Sequence, residues 1–128
     1  MSVSSVSASA ALIQPTDRIF VAGHRGMAGS AILRRLQAAG YGPAGGGSLL
    51  TATHAELDLC DPQASEAWFA QHRPTVVVLA AAKVGGILAN ATYPADFLLQ
   101  NLKIQNHVIE NAWRHGCRRL LFLGSSCI

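Results

Sequence analysis

Apolar positions along the chain fall into two alternating kinds of cluster. Four are short runs of strand length: Arg18-Ile19-Phe20-Val21-Ala22, Leu49-Leu50-Thr51-Ala52-Thr53, Thr75-Val76-Val77-Val78-Leu79-Ala80 and Leu120-Leu121-Phe122-Leu123. Between them apolar residues recur at helical spacing. The first such stretch holds Ala28, Ala31, Ile32, Leu36 and Ala39 and stops at Gly40. The second follows Asp61-Pro62, a helix-capping acid with proline at the first helical position, and carries Ala67, Trp68 and Phe69. The third runs from Ala95 to about His115 with Phe97, Leu98, Leu102, Ile104, Val108, Ile109 and Ala112, and ends at Gly116. Trp68, Trp113 and Phe97 are read as core, and the glycine-rich stretch Gly40 to Ser48 as a surface loop. The pattern predicts β-α-β-α-β-α-β.

The run from Thr75 to Ala80 is β-branched and apolar on both faces, which suits a central strand of a parallel sheet. With right-handed crossovers the four strands give a sheet of order 3-2-1-4. That is the first half of a doubly wound, Rossmann-type α/β fold, truncated after its fourth strand. Residues 1–17, rich in serine and alanine, read as a disordered tail, and 18–128 as one dinucleotide-binding domain lacking a substrate domain.

Composition narrows the function classes. Half of the 128 residues are hydrophobic and 13% are charged, which is too apolar for a disordered chain. No apolar run approaches the ~20 residues that span a bilayer, so no membrane partner is expected. Arg34, Arg35, Arg114, Arg118 and Arg119 are scattered over separate segments, without the basic stripe of a nucleic-acid binder. Three cysteines, Cys60, Cys117 and Cys127, contain no CxxC pair, which argues against a zinc site and fits a reducing cytoplasm.

Chemistry gathers at strand ends. The first strand leads into Gly23-His24-Arg25-Gly26-Met27-Ala28-Gly29, a G-x-x-G-x-x-G turn that opens a helix. Gly23 permits the tight turn, Gly26 lets backbone approach a pyrophosphate, and Gly29 allows helix to pack closely on strand, with helix amides facing the anion. At the end of the second strand stands Ala52-Thr53-His54, so the carboxylate that grips an NAD ribose is absent. Arg25, with His54 as helper, is then the reader of a 2′-phosphate, which points to NADP(H); the plainer reading of Arg25 is a solvated loop arginine. Asp58, with Leu59 beside it, stands to approach the adenine edge or to be an ordinary loop acid. The third strand ends in Ala80-Ala81-Ala82-Lys83, where small residues let a flat cofactor lie against backbone. Lys83 faces phosphate or substrate, or lies solvated at a rim. The fourth strand ends in Leu123-Gly124-Ser125-Ser126-Cys127-Ile128. Ser125 is placed to donate to a carbonyl oxygen or to cap a turn, and on chemistry alone Cys127 reads as an inert buried thiol.

The segments Phe20 to Met27, Leu79 to Ile87, Thr92 to Phe97 and Leu121 to Ile128 resemble the GDP-L-fucose synthase family, extended short-chain dehydrogenases/reductases. The likeness covers nearly all of Arg18 to Ile128. It implies a 3,5-epimerase and 4-reductase that turns GDP-4-keto-6-deoxy-D-mannose into GDP-L-fucose with NADP(H), as a homodimer packed through the 95–115 helix. It implies that Ser125 belongs to a Ser-Tyr-Lys set and that Cys127 is a proton-transfer thiol, reversing the inert reading. It also lays the cofactor along Leu123, Gly124, Ser125 and Ser126 as well as the glycine turn. The Tyr-x-x-x-Lys pair, the histidine partner of the cysteine and the sugar-nucleotide domain of that family have no counterpart in this sequence, so the chain alone is expected to be inactive. Two other readings stand beside it: a different nucleotide-sugar epimerase or dehydratase using NAD, and a non-catalytic dinucleotide-binding module.

Overall fold

A computed structural model of the chain describes residues 12–81 and 94–123. Four strands, β1 (Arg18–Ala22), β2 (Ser48–Leu50), β3 (Val76–Leu79) and β4 (Arg119–Phe122), alternate with three helices, α1 (Met27–Ala38), α2 (Pro62–His72) and α3 (Pro94–Arg114). All strand pairs are parallel, with Ile19 opposite Leu49, Phe20 opposite Val77 and Leu79 opposite Phe122. The α2 start is as the sequence predicts: the Asp61 carboxylate accepts from the amides of Gln63 (2.9 Å) and Ala64 (3.2 Å), with Pro62 behind it. Such a cap stabilises a helix by about 1 kcal/mol.

The two central strands are apolar on both faces, and the pleat sends alternate side chains to opposite layers. Ile19, Val21, Val76 and Val78 form one core with Ile32, Leu33 and Leu36 of α1. Phe20, Ala22, Val77 and Leu79 form the other with Phe69 of α2 and Ile104, Val108 and Ala112 of α3. Trp68 packs on the Phe20 ring at a centroid distance of 4.2 Å.

The doubly wound α/β class holds, but the strand order 3-2-1-4 does not: the sheet runs β2-β1-β3-β4. The reason lies in the side on which α2 packs. Since α2 shares a layer with α3, opposite α1, a right-handed crossover from β2 must pass back over β1 and set β3 on its far side. An order of 3-2-1-4 would need α2 beside α1. Strand β2 is also shorter than expected, because the chain leaves the sheet for a turn at Thr53.

Three further expectations change. Residues 12–17 are not tail: Ile13 packs on the α1-side core and Asp17 is buried. The Asp17 carboxylate accepts from the Gln14 amide (2.7 Å), the Thr75 hydroxyl (2.9 Å) and the Arg118 guanidinium. Thr75 Oγ1 in turn accepts from Arg18 N–H at 2.9 Å, so one carboxylate ties together the starts of β1, β3 and β4. The 40–48 connection is likewise no slack loop. Gly45 and Gly47 lie so close to neighbouring backbone that an added Cβ would fall 2.5 Å from Gly40 O and 2.4 Å from Asp17 O. Trp113, read as core, is 79% exposed, along with Leu98, Leu102 and Ile109 of the same helix. Helix α3 thus has a second apolar face that packs on nothing described here. Strand β4 stands last in the described sheet, with Leu120, Leu121 and Phe122 exposed.

Candidate functional site

The carboxyl ends of β1, β2 and β3 open into a cleft of about 320 Å³. Crossovers leave β1 toward β2 on one side and return to β3 on the other, so the cleft sits at the switch point where open α/β sheets take ligands. Its floor is the turn Gly23–Gly26. One wall is the 52–59 segment after β2, the other is Ala80 and Ala81 at the end of β3, and Ile104 of α3 closes the back.

The three glycines of the turn have separable reasons. Gly23 has φ +89° and lies so close to β3 that a Cβ would stand 2.7 Å from Ala80 C and Ala81 N. Gly29 is buried against the turn itself, where a Cβ would fall 2.0 Å from Gly23 O. Gly26 differs: its nearest neighbour to an added Cβ is Gly23 O at 3.5 Å, an ordinary contact. Nothing in the packing of the described residues demands glycine there. A residue bared toward a cleft without an internal need is what close approach by a ligand requires. Gly26 also begins α1 without a side-chain cap and with no acid in the first turn, which leaves the positive end of the helix to an anion.

Of the residues singled out from sequence, Gly23, His24, Arg25, Gly26, Asp58, Leu59 and Ala81 line this one cleft, and so does His54. Met27, Ala28 and Gly29 form the first turn of α1 behind it, and the Met27 side chain is 93% exposed. Asp58 combines both of its readings: it lines the cleft while its Oδ1 accepts from Cys60 N–H at 3.0 Å. Leu123 donates its N–H to Leu79 O at 3.1 Å, continuing the β4 pairing to the cleft end of the sheet. Ala82, Lys83, Gly124, Ser125, Ser126 and Cys127 lie outside the described residues.

The sequence reading missed what shapes the wall after β2. Thr53 and Glu56 form a reciprocal pair: Thr53 N–H donates to Glu56 Oε1 (2.8 Å) and Glu56 N–H to Thr53 Oγ1 (3.2 Å). Hydrogen bonds from Thr53, with added attraction from Arg25 and His24, hold the Glu56 carboxyl below the usual range. The signal was present as Thr53-His54-Ala55-Glu56, the spacing of a capping box. Leu57 and Ile104, each 5% exposed, supply the apolar part of the wall. Away from the cleft, burial pushes the Cys117 thiol up.

A profile of the NAD dependent epimerase/dehydratase family matches residues 19–128. The chain belongs to that family. Among its relatives, GDP-L-fucose synthase 1 of Arabidopsis thaliana is 58% identical over 111 residues, which is 87% of this chain and 33% of the relative. GDP-L-fucose synthase of Escherichia coli (strain K12) is 51% identical over 88% of this chain and 33% of its own length. A solved GDP-mannoheptose C4 reductase from Campylobacter jejuni with NADP bound superposes with a TM-score of 0.79 at 38% identity, covering 88% of this chain and 34% of that one. The chain thus spans about a third of the length of the relatives it matches.

Proposed function

We propose that the cleft binds NADP(H) and that the protein is a GDP-L-fucose synthase, carrying out 3,5-epimerisation and 4-reduction of GDP-4-keto-6-deoxy-D-mannose. The observation that carries the reading is the convergence of the bared Gly26, Arg25 and the small end of β3 on one cleft at the switch point. Gly23, Gly26 and the first amides of α1, at Met27, Ala28 and Gly29, hold the pyrophosphate. Arg25 and His54 take the 2′-phosphate, while Asp58 and Leu59 flank the adenine. Ala81 and Ala82 let the cofactor lie against β3, with Leu123, Gly124 and Ser126 on the β4 side. When bound, NADPH supplies the hydride that reduces C4. Ser125 donates a hydrogen bond to the 4-keto oxygen, Cys127 exchanges a proton with the sugar carbon beside that carbonyl, and Lys83 faces phosphate or substrate.

An NAD-dependent epimerase or dehydratase is the second reading, and it rests on Glu56, an acid just beyond β2. Its Oε1 is already taken by Thr53 N–H, and its charge is offset by Arg25 and His24, so NADP(H) remains the better match. A homodimer in the cytoplasm completes the proposal, supported by the exposed apolar face of α3. The test is product analysis with the intact protein, NADPH and the 4-keto sugar nucleotide. GDP-L-fucose is expected, and Cys127→Ser should block epimerisation while NADPH binding is kept. Product formation unchanged by Cys127→Ser would remove the thiol from the mechanism; no NADPH oxidation with the wild-type protein would overturn the whole reading.

A further inference from the structure

We propose that His107 of α3 is a positioning residue for the dinucleotide cleft, holding the 57–59 wall through the Leu59 carbonyl. The wall needs such a support because it belongs to no strand: the chain leaves β2 at Leu50 and enters α2 at Pro62, so no ladder of backbone hydrogen bonds sets its distance from the glycine turn. Helix α3 supplies what the sheet does not. Gln100, Ile104 and His107 lie four and three residues apart, on one stripe of the helix. Gln100 O meets Cys60 Sγ at 3.7 Å, Ile104 is buried in the back of the cleft, and His107 Nδ1 lies 2.7 Å from Leu59 O.

The last contact is the short one. A carbonyl oxygen only accepts, so His107 must carry a proton on Nδ1 to make it. The other donor to the same oxygen, Ser65 Oγ, stands at 3.5 Å and is a poor substitute. Without His107, Ser65 Oγ is the donor left to Leu59 O among the described residues, and the stretch carrying Asp58 and Leu59 loses its short tie to α3. The inference rests on the NADP(H) reading of the cleft. Because this wall faces the adenosine half common to both dinucleotides, its effect should be blind to the 2′-phosphate.

The test is direct binding of NADPH and of NADH to the intact protein. His107→Leu should weaken both roughly fivefold, the scale of one hydrogen bond. His107→Gln, whose amide reaches the Nε2 position instead, should show the same loss and guards against a leucine variant that does not fold. His107→Asn, whose amide falls near Nδ1, should bind within about twofold of wild type. Tight binding by the leucine and glutamine variants, failure of the asparagine variant to recover, or a loss confined to NADPH would each overturn the role. Wild-type protein that binds neither dinucleotide would instead overturn the cleft reading, and this inference with it.

Discussion

At the amino end of the sheet, polar side chains close the structure on itself. Asp17 collects donors from Gln14, Thr75 and Arg118, and no oxygen of that carboxylate is left idle. At the carboxyl end the same strands finish in glycine and alanine, the helix start has no cap, and a cleft stays open between β1 and β3. The difference shows how one sheet divides its labour. Where polar groups satisfy each other they stabilise and exclude ligands. Where a helix start carries no side-chain cap and opens on a cleft, its first amides are left for a ligand to satisfy.

The comparison breaks most severely at Gly29. A Cβ there would meet Gly23 O at 2.0 Å, so Gly29→Ala should destabilise the fold by about 3 kcal/mol or more, read by urea denaturation. Near-wild-type stability would mean that α1 and the turn are not in contact. Next comes Asp17→Asn, expected to cost about 2 kcal/mol at neutral pH with dinucleotide affinity unchanged, since it removes charge-assisted bonds at the far end of the sheet. Burial alone would raise the Asp17 carboxyl, but the bonds from Arg118, Gln14 and Thr75 outweigh it and hold the carboxyl below its ordinary value. A depressed folded-state pKa stabilises at pH above the unfolded value and is lost as pH falls through the folded one. The gap between wild type and Asp17→Asn should therefore be full at pH 7 and close below about pH 4; a gap that persists in acid would contradict it.

Gly26→Ala should do the reverse. The protein has room for the methyl, so stability should move by only about 0.5 kcal/mol, while NADPH binding falls about tenfold as the methyl intrudes on the pyrophosphate. Equal binding would show that no ligand approaches Gly26. The smallest effect is selective: Arg25→Ala should weaken NADPH about fivefold and NADH hardly at all, and matched losses would take the 2′-phosphate from Arg25.

Much of this was legible in the residues because it depends on local geometry. The glycine turn, the Asp61-Pro62 helix start and the apolar runs of β1, β3 and β4 stand where their patterns place them, since each is decided within a few positions of chain. Gly26 could be nominated as a ligand-facing glycine, but only its coordinates separate it from Gly23 and Gly29, which the protein needs for itself. Asp17 looked like tail because two of its three partners, Thr75 and Arg118, lie 58 and 101 residues away. The wall after β2 was half seen: Asp58, Leu59 and His54 were named, whereas the Thr53–Glu56 pair and the support from His107 were not.

Sequence by itself determined the elements, their parallel alternation and the phosphate-type turn. The tertiary structure decided the order of the strands, the third side of the cleft and the two-faced character of α3. The physical reason is the same in each case. Periodicity reveals that an element has an apolar face but not which layer that face meets, and β1 and β3, apolar on both sides, accept a helix on either. Only when α2 packs beside α3 does the right-handed crossover carry β3 past β1, and only then is there a cleft between them for Gly26 to face.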